Sequence, residues 1–328
     1  NLERVESNRN FANKMWNVGR FVINAVEGTG DQRLETSLQS PVPNYSLADS
    51  WIWARLQQLI RDVERLFQTF QYGEAGRQIY DFFWSDFADW YLEIAKGQLA
   101  NKSTRAQTVD TLARVLDSSL RLLHPFTPFV TEELWGHLRS ALRESPISDI
   151  SKEWPEALIV ARWPEPREPA GWEEEKIADF TLIQDSIRAL RNFHAENNMK
   201  PSQRHGVTYV TKTKASLYKE NLPIISALSS TDLNQSFVYE QYKPSEAVTS
   251  LVVGSTEIYL NLSGVERTEE DKARLEKELK ESQSHIERLE KLLSGDFANK
   301  APAAVVQKER DKLTAYKDTA GKIQAQLK

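Results

Sequence analysis

The sequence predicts a mainly α protein made of a helical bundle, a small α/β domain and a C-terminal antiparallel coiled-coil hairpin. Three observations carry that expectation. Apolar residues recur at spacings of three and four through the first 140 or so positions. The period then falls towards two in short runs between 207 and 262. After position 275 a heptad register appears on both sides of the break Ser294-Gly295-Asp296.

The bundle is expected over 1–145. Phe11, Met15, Val18 and Val22 mark one face of a first helix at 5–25. A Gly/Pro-rich break from Gly28 to Pro43 separates it from a second, marked by Ile52, Leu56, Leu59, Val63, Leu66 and Phe70. The third runs from about Glu74 to Leu99 with Ile79, Phe83, Trp90 and Ile94 inward, and the fourth from about Thr104 to Leu123. Pro125 ends the fourth, because proline disfavours a helical residue before it. Thr127-Pro128 opens the fifth, with threonine expected to cap free amides and proline suited to the first turn. Prolines among tryptophans make 146–172 a connector or a strap across the bundle. An α/β domain is expected over 173–264: a helix over 173–196 closed by Asn197-Asn198, a helical stretch over 215–229, and strands at 207–210, 237–239, 250–253 and 258–262. Gly254-Ser255 suits a hairpin turn. Residues 265–328 form the hairpin, with Leu275, Leu279, Ser282, Ile286, Leu289 and Leu293 facing Val306, Glu309, Leu313, Tyr316, Ala320, Ile323 and Leu327.

With 328 residues, 40% hydrophobic and 27% charged, the chain has ordinary globular composition and room for several domains. Its net charge of −5 means that any nucleic-acid contact must come from local stripes. The absence of cysteine excludes disulfides and thiolate zinc sites and predicts a reducing, cytoplasmic setting. No apolar run is long enough to span a bilayer, so no membrane partner is expected. An abrupt start at Asn1 without methionine suggests a piece of a longer protein.

No catalytic constellation is visible. Gly321-Lys322 lacks the rest of a phosphate loop, and His124, His137, His194, His205 and His285 are scattered without metal-ligand spacing. Asp86 and Asp89 sit among aromatics, where buried carboxylates are expected to be paired within the bundle. Asn101-Lys102-Ser103 is a glycosylation triplet at chance level. No metal and no cofactor are expected in these residues.

Two polar stripes remain. Opposite the apolar face of the first helix lie Arg9, Asn13, Asn17, Arg20 and Asn24. Asparagine is a poorer helix former than the glutamate or lysine of an ordinary solvated face. Its amide can pair with base edges, and arginine can bond phosphates or stack on bases. The same asparagines could instead bond neighbouring helices, and the pattern alone favours neither. From Lys300 onward seven basic residues (Lys300, Lys308, Arg310, Lys312, Lys317, Lys322, Lys328) face three acids. Such a stripe suits an RNA backbone, although pairing with the acidic partner helix is the commoner use.

The run from Glu6 to Asn17 (ESNRNFANKMWN), followed by Arg20-Phe21, resembles the opening of the anticodon-binding domain of valyl-tRNA synthetases. So do Tyr80 to Trp84, Asp89 to Glu93, Leu123 to Phe129 through Glu132-Glu133-Leu134-Trp135, and Ala161 to Pro164. Arg274-Leu275 to Leu279, Lys291-Leu292, Lys300-Ala301-Pro302 and Glu309 to Leu313 resemble the arm particular to that family. Where relatives commonly have Ile-Asp after Leu-x-Gly, this chain has Val265-Glu266.

The resemblance implies tRNA(Val) as partner and a monomer. It implies an anticodon-reading surface of Arg9, Asn13, Lys14, Asn17, Arg20 and Phe21. It also implies an arm holding the outer corner of the tRNA through Arg274, Lys277, Arg288, Lys291, Lys300, Lys308, Arg310 and Lys312. The ATP-dependent ligation of valine, and the editing of mischarged threonine, would belong to parts outside these residues. Two other readings are a stand-alone paralogue binding structured RNA and a protein scaffold that dimerises through the coiled coil.

Overall fold

The computed structural model describes residues 2–28, 45–145, 154–243, 249–261 and 269–294, with further positions between 306 and 321. Two compact units divide the chain, Asn1–Leu262 and Ser263–Lys328.

In the first unit, α1 (Leu2–Glu27), α2 (Leu47–Gln68), α3 (Tyr72–Asp81), α4 (Leu92–Ala100), α5 (Lys102–Leu123) and α6 (Pro128–Glu144) form the bundle. Phe11, Met15, Val18 and Val22 all enter its core, as their spacing predicts. Helix α2 opens with a capping box in which Ser46 and Asp49 each satisfy the other's backbone amide.

The single α-helix expected over 74–99 is interrupted. Between α3 and α4, Phe82–Tyr91 winds as a π-helix, whose wider turns bond each amide five residues back. Phe83, Phe87 and Tyr91 form a ring ladder along it, with centroids 5.7 and 6.3 Å apart. The Tyr91 hydroxyl donates to Asp49 at 2.6 Å deep in the bundle. Burial raises both groups' pKa values and holds them towards their protonated forms.

Thr127 departs from expectation as well. Its side chain caps no amide of α6; the hydroxyl donates instead to the Leu123 carbonyl at 3.2 Å. Pro128 alone supplies the expected start.

Residues 154–167 are a strap across the bundle. Glu132 accepts from the amides of Leu158 and Ile159, Arg139 donates to the Pro155 carbonyl, and Gln57 accepts from the Arg167 amide. Trp154 stacks on the fully buried Trp135 at 5.0 Å. Beneath it, Asp117 accepts from Arg121 Nε and Trp135 Nε1, both at 2.8 Å, while Arg121 also donates to the Arg162 carbonyl at 2.9 Å.

Helix α7 (Glu173–Glu196) joins the bundle through Phe180, stacked on Trp51 at 4.1 Å. Just past its C-cap at Asn197, Asn198 takes the left-handed conformation at φ 51°. Strand β1 (Gly206–Val210), helix α8 (Ala215–Ser229), and strands β2 (Phe237–Tyr239), β3 (Thr249–Val253) and β4 (Thr256–Asn261) complete the α/β part. The sheet order is β2-β1-β4-β3, with β1 parallel to β2 and the other pairs antiparallel. Gly254, at φ 57°, makes the β3–β4 hairpin turn, a conformation that glycine adopts without steric cost.

In the second unit, α9 (Glu269–Ser294) carries the described part of the predicted seam: Leu279, Ser282, Ile286, Leu289 and Leu293 are buried or half-buried. So are Val306, Glu309, Leu313, Tyr316 and Ala320 on the facing stretch. The side chain of Leu275, and Ile323 and Leu327 altogether, lie outside the described residues. His285 stacks on Tyr316 at 4.8 Å, and Lys317 pairs with Glu290 at 2.6 Å.

This packing makes two expectations measurable. Asp117→Ala should destabilise the first unit by about 3–5 kcal/mol, because it takes the carboxylate from the mostly buried Arg121 and the acceptor from the Trp135 indole. Denaturant unfolding would measure the loss, and a change below ~1 kcal/mol would show that the Asp117 pair is dispensable. The second concerns His194 and His205, whose Nε2 atoms are 2.7 Å apart. Burial and the neighbouring ring depress His194 to about 4. Its contribution to stability is therefore complete above the unfolded value near 6.5 and is lost as pH falls towards 4. His194→Gln should flatten stability across that window in pH-dependent unfolding.

Candidate nucleic-acid interface

The exposed face of α1 is defined by the burial of its other side. Once Met15, Val18 and Val22 enter the core, Arg9, Asn13, Trp16, Asn17, Arg20 and Asn24 are left exposed. Arg9 makes one exposed contact, to Glu6 at 3.4 Å. Among the described residues, the side chains of Asn13, Asn17, Arg20 and Asn24 have no hydrogen-bond partner. The alternative of asparagines tying α1 to neighbouring helices therefore finds no bond in the described structure. What remains is a ridge of amides and a guanidinium offered outward, at the cost of helix propensity.

Two members of the predicted surface are placed differently. Lys14 is mostly buried, donates to Asp89 at 2.7 Å and lies 3.7 Å from the centre of the Trp84 ring. Phe21 is half-buried and packs against the core. Trp16, which was not among the predicted contacts, is 38% exposed between Asn13 and Arg20 and meets His137 edge-on at 6.4 Å. Its spacing carried the signal, since Trp16 stands three residues after Asn13 and four before Arg20.

On the second unit, Arg288 and Lys291 are exposed on α9 outside the seam, as are Arg310 and Lys312 on the facing stretch. Lys312 bonds Glu309 at 2.6 Å. The side chains of Arg274 and Lys277, and Lys300 and Lys308 altogether, lie outside the described residues.

The groups that could suggest catalysis are otherwise engaged. Asp86 pairs with Arg55 at 3.0 Å and Asp89 with Lys14. His124 bonds Thr131, His137 bonds Glu133, and His194 bonds His205. Among the described residues, no three His, Cys, Asp or Glu side chains group as metal ligands, and no helix is long and apolar enough to cross a membrane.

Residues 49–210 match the family described as the anticodon-binding domain of tRNA ligase, and residues 268–328 match the valyl tRNA synthetase tRNA binding arm. Helix α1 precedes the first match. Whole-chain relatives do extend over it. The valine–tRNA ligase of Carboxydothermus hydrogenoformans is 37% identical over 319 residues, covering 96% of this chain and 34% of that protein. The Bacillus subtilis enzyme is 35% identical over 344 residues, with 99% and 36% covered. For that of Thermotoga maritima the figures are 36% over 322 residues, 98% and 34%. The chain thus spans about a third of the length of these relatives and does not include the catalytic domain. Over its bundle and its terminal helices alike, the chain belongs to the valyl-tRNA synthetase family and corresponds to the C-terminal part of those enzymes.

Proposed function

We propose that this chain is the tRNA-gripping part of a valine–tRNA ligase, reading the anticodon loop of tRNA(Val) with the bundle and holding the outer corner of the molecule with the arm. The observation that carries this reading is the α1 ridge of Arg9, Asn13, Asn17 and Arg20. It presents base-pairing amides and phosphate-binding guanidinium groups in one line, and its asparagines have no competing bonds among the described residues. Trp16 on the same ridge offers a ring on which an unstacked base can rest. Lys14 acts through Asp89 and Trp84 to hold α1 against the π segment, and Phe21 anchors the same helix from behind. The arm contributes charge: Arg274, Lys277, Arg288, Lys291, Lys300, Lys308, Arg310 and Lys312 meet the RNA backbone without regard to sequence. The chain works as a single copy in the cytoplasm. Activation of valine with ATP falls to the portion of such an enzyme outside these residues.

Replacing Asn13 and Asn17 together with alanine should cost about 1–3 kcal/mol of discrimination for each base no longer read. Binding titrations with tRNA(Val) and anticodon-swapped variants measure it, and undiminished preference in the double variant would remove α1 as the reader. Neutralising Arg288, Lys291, Arg310 and Lys312 to glutamine should weaken binding and flatten the dependence of log affinity on log salt, by roughly 0.9 for each phosphate no longer neutralised. Anticodon preference should stay as it was. An unaltered slope would place the arm off the RNA.

A further inference from the structure

Neither matched family reaches residues 211–267, the interval that holds three of the four strands. The two faces of that sheet differ sharply. Val207, Tyr209, Ile258 and Leu260 are buried in the core shared with α7 and α8. Strand alternation sends their neighbours to the opposite face. The register aligns those neighbours in two rows, Phe237–Thr208–Tyr259–Ser250 and Tyr239–Val210–Glu257–Val252.

That second face carries a strip of aromatic rings. Phe237 and Tyr239 stack at 6.2 Å with planes 26° apart, and Tyr239 and Tyr242 stack at 5.8 Å with planes 11° apart. Tyr242 meets Tyr259 at 5.6 Å. Phe237, Tyr239 and Tyr242 remain 49%, 43% and 40% exposed. Exposing such surface opposes folding, and contiguous patches of this kind mark binding sites.

The composition of the strip identifies what it fits. Among the described residues of these two rows, the aliphatic side chains are Val210 and Val252, whereas flat ring surface accepts any nucleobase. Hydroxyls of Thr208 and Ser250 stand in the same row as Phe237 and Tyr259, within the reach of a base edge. The charge that these two rows carry is that of Glu257, whose carboxylate accepts from the Tyr259 hydroxyl, so backbone attraction contributes little and stacking must dominate. The strip also continues the anticodon-binding region, because β1 lies inside that match and the whole sheet shares the bundle's compact unit.

We infer that the open face of the sheet is a stacking platform for unpaired RNA bases, with Tyr239 and Tyr242 at its centre. As a contact to tRNA it rests on the reading proposed above; as a single-strand site it is tested by itself. The probe is a short single-stranded RNA of mixed sequence, titrated into the whole chain at two salt concentrations, alongside tRNA(Val). The wild type should bind the short RNA with a shallower salt dependence than tRNA(Val). Tyr239→Ala combined with Tyr242→Ala should lower its affinity for the short RNA at least about tenfold. Phenylalanine at both positions should preserve binding. In a second measurement, 4-thiouridine in the short RNA should photocross-link to the peptide that contains residues 237–242 of the wild type. Wild-type affinity retained by the alanine pair with unchanged thermal unfolding, or cross-links confined to other peptides, would overturn the platform. So would a dimer in light scattering that the alanine pair abolishes, which would make the face a contact between copies. If Asn13→Ala with Asn17→Ala abolishes anticodon discrimination while the tyrosine variants bind as before, only the platform falls. If tRNA(Val) is ignored while the short RNA binds through the tyrosines, only the tRNA reading falls.

Discussion

Helix α1 approaches α6 through Gly19, where a single added methyl would come within 2.6 Å of the buried Leu134 side chain. Glycine inside a helix costs roughly 1 kcal/mol relative to alanine. Here it allows the two helices to sit close and fixes how α1 is rotated. With Gly19 against α6 and Met15, Val18 and Val22 in the core, Asn13, Asn17 and Arg20 have only the outward direction left. The outward set of the ridge thus depends on a packing constraint on its far side. Turning α1 by one position towards Asn17 would carry that amide into the core without a partner, which is unfavourable.

The chain's electrostatics are organised locally. At a net charge of −5 there is no general attraction for a polyanion, and many of the bundle's cations are paired: Arg55 with Asp86, Arg114 with Asp110, Arg121 with Asp117. Paired charges leave neither a free positive field nor an unpaired buried ion. Exposed cations stand out against that background at Arg20 on α1 and at Arg288 and Lys291 on α9. The three surfaces differ in chemistry: amides on α1, lysine and arginine on α9, and aromatic rings on the open face of the sheet.

Much of this was legible in the sequence, and the reasons for what was not are physical. Periodicity reports which residues face inward, and it did so at Phe11, Met15, Val18 and Val22 and along the seam from Leu279 to Leu293. It does not report which hydrogen-bond partner wins when several are near. The π winding at Phe82–Tyr91 accompanies a buried contact between Tyr91 and Asp49, 42 positions away. Thr127 turns to a carbonyl behind it where an amide ahead was expected. Lys14 carries the same charge as a free lysine, and only its contact with Asp89, 75 positions on, marks it as a fastener. The aromatic strip escaped because rings in short alternating strands look like core until the register shows which face the helices cover.

The strap over the bundle has an implication for how such chains drift. Its attachments at 155, 158, 159, 162 and 167 are made by its own peptide groups, gripped by Arg139, Glu132, Arg121 and Gln57. A peptide group is the same whatever side chain it bears. Over generations the strap's exposed letters, such as Ile159, are free to be rewritten while those four holders are not. Lineages descended from a common ancestor should therefore keep the four holders while the strap's exposed positions vary.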